Sequence, residues 1–215
     1  RLVEYREMGA TFAKWRAVIN IAHALPTARA IQVNSHALAR YAGLCQEAGI
    51  VPIVEPEVLM DGDHTIEKCY EATEATLNQV FTDLIDSGVY LEGIVLKPNM
   101  VLSGSDATNR AGAAEVAEQT ITCFRRTVPA AIGGIAFLSG GQGDEEASVN
   151  LDAINRSSLD RPWEMSFSYG RGLQAAPLAH WGQDTSGITG TQSVFAKRAK
   201  IIAAARRGEY TSDME

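Results

Sequence analysis

Lys97 is the residue of this 215-residue chain with the surroundings best suited to a nucleophile. It follows the apolar run Gly93–Leu96 and precedes Pro98, so the main chain carries its amine to the end of a buried strand. Burial disfavours the charged form of an amine. A neutral amine can attack a ketone and form an imine, which then accepts electrons when a carbon–carbon bond is cleaved. The alternative is a lysine that extends to solvent at the rim, and this strand alone does not decide between them.

Two other runs carry charged side chains at alternate positions. Lys14 and Arg16 belong to one run, and Glu55 and Glu57 flank a proline in the next. The strand period of two places each pair on one face of its strand. We predict that Lys14 contacts substrate hydroxyl or phosphate oxygens and that Arg16 binds phosphate through its planar guanidinium. The alternative for both cations is a structural ion pair with one of the two glutamates.

The two glutamates have different predicted roles. Glu55 follows apolar neighbours and is our candidate for the general acid that later acts as a base, since an imine forms through a carbinolamine that must gain and lose protons. Glu57 is predicted to orient the lysines. Both could instead be ordinary carboxylates that balance nearby lysine charge.

Glycines and an arginine suggest a phosphate site in the last third of the chain. The segment 139–142 reads Ser-Gly-Gly-Gln, and Gly170 and Arg171 follow the next apolar run. Ser-Gly-Gly alone is weak evidence, because most such segments are turns. With Arg171 one strand later, backbone N–H groups and a guanidinium would surround a phosphate.

The elements that position these residues repeat along the chain. Five short apolar runs end in a polar or charged residue at Lys14, Glu55, Lys97, Ser139 and Arg171, which are 41, 42, 42 and 32 residues apart. Between the runs the apolar period changes from two to about 3.6, which predicts helices. The best-marked helical segments are 31–45, 66–84, 116–124 and 194–205, with a further helix near residues 2–6 and an acidic helix start at 143–146.

Strictly alternating strands and helices predict an α/β fold with parallel strands. Polar residues end all five runs, whereas an open doubly wound sheet gathers its ligand at one switch point, so a (β/α)8 TIM barrel is favoured. We therefore expect residues 1–215 to form one partial TIM-barrel domain that holds the last five strand–helix units. Three more strands would then precede residue 1 or come from another polypeptide.

Composition excludes several classes of protein. A chain that is 46% hydrophobic and 21% charged is typical of globular proteins, and a net charge of −7 argues against nucleic acid as a partner. The sequence has no membrane-length apolar run and no secretory signal pattern, which predicts a cytoplasmic protein. Cys45, Cys69 and Cys123 are expected in the core, without metal spacing. His64 is expected at the surface or as a helix cap.

Five segments together resemble the successive strand ends of class I fructose-1,6-bisphosphate aldolases, and the resemblance covers essentially the whole chain. The segments are FAKWR (12–16), VPIVEPE (51–57), LKPNM (96–100), FLSGGQ (137–142) and FSYGR (167–171).

The resemblance implies a lyase of glycolysis and gluconeogenesis that cleaves fructose 1,6-bisphosphate reversibly to dihydroxyacetone phosphate and glyceraldehyde 3-phosphate. It implies no metal and no cofactor, and a homotetramer. Lys97 would be the Schiff-base lysine, Glu55 its acid and base, Lys14 an essential cation, and Glu57 the charged neighbour of Lys14. The implied substrate- and phosphate-binding residues are Arg16, Ser139, Gly140, Gly141, Ser168, Gly170 and Arg171.

Parts of the family pattern are not in this sequence. The first three strands of the family carry an aspartate used in bond cleavage and a second phosphate site, and a tyrosine-ended tail assists proton transfer. A chain without them could be inactive alone. The alternatives are a non-catalytic phosphate-binding or assembly chain on the aldolase scaffold, and an imine-forming aldolase for another sugar phosphate.

Overall fold

The computed structural model describes residues 1–183 and 185–215 as an alternation of strands and helices. The strands are β1 (Phe12–Ile19), β2 (Val51–Val58), β3 (Val95–Leu96), β4 (Gly134–Phe137) and β5 (Met165–Phe167). The α-helices are α1 (Leu2–Glu7), α2 (Ala28–Glu47), α3 (Ile66–Asp86), α4 (Ala113–Thr127), α5 (Asp144–Arg156), α6 (Arg171–Gln183) and α7 (Ile188–Arg206), and 3-10 turns lie at Leu91–Gly93 and Ser212–Met214.

All five strands form one parallel sheet in the order β1-β2-β3-β4-β5. Each strand therefore pairs with the next one along the chain, and no switch point interrupts the order. The intervening helices pack against one another in the same succession, from α2 through α5 to α7. This confirms the predicted α/β class with parallel strands.

The helices begin and end where local chemistry favours it. The side chains of Thr27 and Thr65 accept hydrogen bonds from the N–H groups of Ala30 and Lys68, which caps α2 and α3. Residues 49 and 88, just after these helices, are glycines with φ of +70° and +67°, the left-handed conformation that closes a helix at low cost. The apolar faces then pack on the sheet around fully buried Leu38, Leu96 and Phe124.

Two features differ from the sequence prediction. β1 and β2 pair over eight residues each, so they continue beyond Lys14 and Glu55 instead of ending there. Helix α6 was not predicted, and Arg171 begins this helix instead of ending a strand. Pro177 and the alternation of small and polar residues hide the helical period of α6.

Within the described part of the chain, no helix is both long enough and apolar enough to cross a membrane.

The loops after β2 and β3 pack backbone to backbone at the carboxyl edge of the sheet. The N–H groups of Gly104, Ser105 and Asp106 donate to the carbonyl oxygens of residues 64, 60 and 62 at 2.8, 2.7 and 2.8 Å. A Cβ added at Gly104 would lie 2.2 Å from the Gly62 carbonyl oxygen. Only glycine therefore fits at position 104.

Replacing Gly104 with alanine is expected to lower the free energy of unfolding by about 1–3 kcal/mol, because one of the two loops must move to relieve the overlap. Urea denaturation followed by circular dichroism measures this loss. Gly43→Ala is the matched control: Gly43 lies inside α2 with no atom within 4 Å of an added Cβ, so alanine should be neutral or raise stability by up to about 1 kcal/mol. Equal effects of the two substitutions would contradict the close contact of the loops.

Candidate active site

Main-chain hydrogen bonds continue beyond the ends of β3, β4 and β5 and keep the following residues level with one another. The Lys97 N–H donates to the Val54 carbonyl at 2.7 Å, the Leu138 N–H to the Pro98 carbonyl at 3.1 Å, and Ser168 N–H to the Phe137 carbonyl at 2.8 Å. The polar residues of the predicted site therefore meet at one edge of the sheet, as the carboxyl ends of parallel strands do.

Glu55 lies at the centre of the charged residues. The register pairs Ile53 with Val95, so the next side chain on the same face of β2, Glu55, is level with Lys97. Lys97 Nζ lies 3.1 Å from Glu55 Oε1, and Lys14 Nζ lies 3.0 Å from Oε2. Among the described residues Glu55 Oε2 has no hydrogen-bond partner, so its contact with Lys14 is an ion pair only. One buried carboxylate thus bridges two amines from the neighbouring strands.

The two amines differ in burial. The side chain of Lys97 is 11% exposed, whereas that of Lys14 is 41% exposed, and the Glu55 carboxylate between them is 4% exposed. Lys97 is therefore not a rim lysine that extends into solvent. Of the two, Lys97 is the amine held away from solvent at the end of a buried strand, which is the placement expected of a nucleophilic lysine.

Arg16 and Glu57 form a second pair beside the first. Arg16 Nε donates a hydrogen bond to Glu57 Oε2, and this bond raises the pKa of the Arg16 guanidinium above its ordinary value. Each cation of β1 reaches a carboxylate two residues beyond its register partner on β2. Glu57 accordingly contacts Arg16, which differs from the expectation that it orients the lysines.

The Ser-Gly-Gly segment forms a tight turn after β4. The Gln142 N–H donates to the Ser139 carbonyl at 2.9 Å, and Gly140 and Gly141 have φ of +59° and +96°, which L-residues rarely adopt. The side chain of Gln142 accepts a hydrogen bond from Asn150 of α5 at 2.8 Å, which holds the turn to that helix.

The turn lies close to the residues that follow β5. A Cβ added at Gly141 would be 3.8 Å from Arg171 Nη2, and one added at Gly140 would be 3.9 Å from Glu57 Oε1. The backbone of this turn, the Arg171 guanidinium and the start of α6 therefore lie together at one end of the site, next to Ser168 and Gly170. Backbone N–H groups and an arginine in this arrangement can bind a phosphate.

Within residues 1–183 and 185–215, no group of three or more histidine, cysteine, aspartate or glutamate side chains is placed to hold a metal ion. Cys45, Cys69 and Cys123 are buried free thiols, as the sequence predicts. Burial raises the pKa of the Cys123 thiol to about 12. None of the three thiols therefore has the surroundings of a reactive cysteine.

Two residues at this edge were misjudged or missed from the sequence. The surface prediction for His64 is wrong: its side chain is buried beneath the packed loops, and Thr65 caps the helix. Asn99, two residues after Lys97, is buried and hydrogen-bonded to β2 and α3. Its position after Lys-Pro was visible in the sequence, but its partners depend on the strand register.

Comparison with known proteins matches the geometry. The family model for class I fructose-bisphosphate aldolase matches residues 1–215. Mouse fructose-bisphosphate aldolase B is 52% identical over 98% of this chain, and a probable class 1 fructose-bisphosphate aldolase of Xanthomonas campestris pv. campestris is 51% identical over 98%. The Plasmodium falciparum aldolase, solved with TRAP and a small-molecule inhibitor, superimposes with a TM-score of 0.95 at 45% identity over 99% of this chain.

The chain belongs to the class I fructose-bisphosphate aldolase family. It spans 58% of the mouse relative, 63% of the Xanthomonas relative and 61% of the Plasmodium chain. The part of the aldolase sequence present here is the part in which the five strand-end segments occur. The resemblance stated from those segments is therefore confirmed at the level of the family.

The buried His64 predicts a pH dependence of stability. Burial lowers the pKa of His64 below its ordinary value of 6.5, although the Leu102 backbone and Asp63 oppose part of this shift. The unfolded chain then takes up a proton at higher pH than the folded chain does. The contribution of His64 to stability is complete above pH 6.5 and decreases as the pH falls below that value.

Unfolding measured in urea between pH 5 and 8 tests this expectation. His64→Gln, which cannot be protonated, should show a weaker loss of stability below pH 6.5 than the original chain. His36→Gln is the control, because His36 is an exposed histidine on α2 and its removal should leave the slope unchanged. The same slope in all three proteins would show that His64 does not titrate differently on folding.

Proposed function

We propose that this chain carries the imine-forming lysine and one phosphate site of a fructose-1,6-bisphosphate aldolase, in which Lys97 is the nucleophile. The observation that carries the proposal is the buried Lys97 amine 3.1 Å from the Glu55 carboxylate, whose other oxygen is 3.0 Å from Lys14. Membership of the aldolase family supports the same reaction. The products would be dihydroxyacetone phosphate and glyceraldehyde 3-phosphate, as in glycolysis and gluconeogenesis.

The first chemical step requires the Lys97 amine in its neutral form. Its nitrogen attacks the substrate ketone carbon, and the proton that this nitrogen loses passes to the carbonyl oxygen, which gives a carbinolamine. Glu55, which has taken up the proton that the Lys97 ammonium loses on becoming neutral, then donates it to the departing hydroxyl group, so water leaves and a protonated imine remains. A base takes the proton from the hydroxyl group beside the cleaved bond, a role that the resemblance gives to an aspartate of the family's first three strands. The positive imine nitrogen accepts the electron pair of the carbon–carbon bond as the aldehyde leaves, and an enamine stays on Lys97. Protonation of the enamine carbon and hydrolysis of the imine release the second product.

Lys14 assists this sequence by its charge. It lies on the opposite side of Glu55 from Lys97, so the carboxylate keeps an ionic partner when the Lys97 nitrogen becomes part of the substrate adduct. A carboxylate that is only 4% exposed would be costly to leave unpaired. The Lys14 side chain is 41% exposed, so it can also contact substrate oxygens. Glu57 completes the catalytic set by holding Arg16 beside this pair.

Binding of the substrate involves a phosphate group at each end. Ser139, Gly140, Gly141, Ser168, Gly170 and Arg171 are proposed to bind the phosphate nearest the ketone. The left-handed turn brings backbone N–H groups close to the Arg171 guanidinium, and α6 begins at the same point. Arg16 is proposed to contact the substrate at the far end, once it exchanges part of its bond to Glu57 for substrate oxygens.

The sequential parallel sheet and the family together support a larger assembly. We propose that the five strand–helix units of residues 1–215 form a single partial domain of an eight-stranded (β/α)8 barrel, because the strand order has no reversal and consecutive helices pack in succession. A homotetramer in the cytoplasm, without metal or cofactor, is the corresponding proposal for the whole protein. Size-exclusion chromatography with light scattering tests its oligomeric state.

Treating the full-length protein with dihydroxyacetone phosphate and borohydride is expected to reduce the imine to a stable adduct on Lys97, detectable in a peptide digest by mass spectrometry. Lys97→Met should abolish the adduct and the aldol activity. Lys68→Met is the matched control, since Lys68 pairs with Glu71 on the exposed face of α3 and should leave both unchanged. An adduct on a different lysine would refute the assignment, and phosphate binding without any adduct would indicate a non-catalytic chain.

Replacing Glu55 with glutamine is expected to slow imine formation by about 10²–10⁴-fold, because the amide cannot donate and take up the protons of carbinolamine formation and dehydration. Rapid mixing with substrate and quenching with borohydride measures this rate. Binding of inorganic phosphate should stay within about twofold, because Glu55 does not line the turn at residues 139–142. Glu71→Gln, at an exposed glutamate, serves as control. An unchanged trapping rate in Glu55→Gln would assign the proton transfer to another group.

A panel of sugar phosphates decides between related substrates. Faster cleavage of fructose 1,6-bisphosphate than of a ketose with one phosphate would support the proposed role of Arg16 at the far end. Equal rates would favour an aldolase for another sugar phosphate.

A further inference from the structure

Asn99 is a buried polar residue that the proposed reaction does not use. Its side chain, 3% exposed, accepts a hydrogen bond from the Val58 N–H at 3.1 Å. Its amide nitrogen donates to Thr73 Oγ1 at 3.0 Å and to the Met100 carbonyl at 3.0 Å. These three bonds connect the end of β2, helix α3 and the segment that follows Lys97.

The pairing between β2 and β3 is short where the catalytic residues lie. Only Ile53 and Val54 of β2 have register partners on β3, and the Lys97 N–H to the Val54 carbonyl is the next main-chain bond. β2 continues for four more residues and carries both glutamates. Within the described residues, the next main-chain hydrogen bonds between the chain after β3 and the chain after β2 are those that Gly104 and Ser105 donate to His64 and Met60.

The prolines of β2 explain why so few bonds are available. The N–H groups of Val51 and Leu59 donate towards β1, to the carbonyls of Thr11 and Ile19. By the strand period, positions 52, 54, 56 and 58 face β3. Positions 52 and 56 are prolines and have no N–H to donate. After Val54, the Val58 N–H is therefore the next donor of β2 on this side, and Asn99 is its partner.

The Asn99 side chain therefore accepts the hydrogen bond from Val58 that a main-chain carbonyl of β3 would accept in a longer strand pair. Glu57 is adjacent to Val58 in the chain, and Lys97 is separated from Asn99 only by Pro98. The bond from Val58 to Asn99 sets the distance between the strand that carries the carboxylates and the segment that carries the amine. The Asn99 amide nitrogen donates to the Thr73 hydroxyl and to the Met100 carbonyl. Because the nitrogen is held on that side, the amide oxygen is directed at the Val58 N–H.

We propose that Asn99 is a positioning residue that holds the Lys97 amine against Glu55 by bridging Val58 and Thr73. This rests on the proposed function, since its effect on rate acts through Lys97. The proposed phosphate site is the turn at residues 139–142, which follows β4 at the same edge of the sheet. The hydrogen bonds of the Asn99 side chain go to Val58, Thr73 and Met100 and not to this turn. Loss of Asn99 should consequently affect imine formation and leave phosphate binding intact.

Asn99→Ala and Thr73→Val in the full-length protein test the proposal. Asn99→Ala is expected to lower kcat and the rate of borohydride-trapped imine formation by about 10- to 100-fold, because a misplacement of about 1 Å has effects of that size. KM and the affinity for inorganic phosphate should change by less than about twofold. Thr73→Val removes only one acceptor of the amide and should lower the rate less. Thr73→Ser keeps the hydroxyl group and should therefore have the rate of the original protein.

Thr120→Val is the matched control. Thr120 is fully buried and its hydroxyl accepts a hydrogen bond from the Val101 N–H at 2.9 Å, so this substitution removes a similar bond from the same segment without a contact to β2. It should lower the melting temperature as Thr73→Val does and leave the rates within about twofold. An equal loss of kcat in Thr73→Val and Thr120→Val would show that Asn99 contributes only to stability. A raised KM at unchanged kcat in Asn99→Ala would contradict the positioning role as well.

Two further measurements separate this inference from the proposed function. Hydrogen exchange at the Val58 amide and acylation of Lys97 by a small amine-reactive reagent should both change in Asn99→Ala and stay constant in Thr120→Val. If the original protein forms no adduct with dihydroxyacetone phosphate, the proposed function fails, and these readouts still decide the role of Asn99. Unchanged exchange and acylation in Asn99→Ala would overturn the positioning role.

Discussion

A single buried carboxylate shared by two amines is the interaction on which the rest of this structure depends. Glu55 is almost inaccessible to water, and an unpaired charge in such a place would cost several kcal/mol. Lys14 of β1 and Lys97, the residue after β3, supply the compensating charge, one to each carboxylate oxygen. The three strands must therefore hold their register to within a residue, since a shift by one position would turn each of these side chains to the opposite face.

The carboxyl edge of the sheet divides the chemistry between neighbouring strands. β1, β2 and β3 bring together the charged groups that suit imine formation, and the segments after β4 and β5 bring together backbone N–H groups and Arg171. Parallel strands in sequential order make this possible, because every strand ends at the same edge. The helices on the outside supply the buried apolar area that stabilises the sheet, so the residues at its edge are free to be polar.

The main-chain pairing of β2 with β3 is short at the edge of the sheet where the proposed catalytic residues lie. The prolines at positions 52 and 56 remove two donors from the side of β2 that faces β3, and the chain after Lys97 leaves the regular ladder. Side-chain hydrogen bonds from Asn99, and close backbone contacts at Gly104, take over the alignment. Buried polar groups in proteins are generally satisfied, and here the satisfying groups also determine where the amine and the carboxylate meet.

The sequence by itself determined the parts of the molecule that depend on local periodicity. The period of 3.6 located α2, α3, α4 and the carboxyl-terminal helix, and the apolar runs located the five strands, the candidate nucleophile Lys97 and its partner Glu55. It missed α6, whose composition has no clear period, and placed His64 at the surface. Only the tertiary structure decided that Glu57 contacts Arg16 and that Asn99 contacts Val58. Such partners lie about 40 residues apart, and strand register selects them through long-range packing that no local pattern contains.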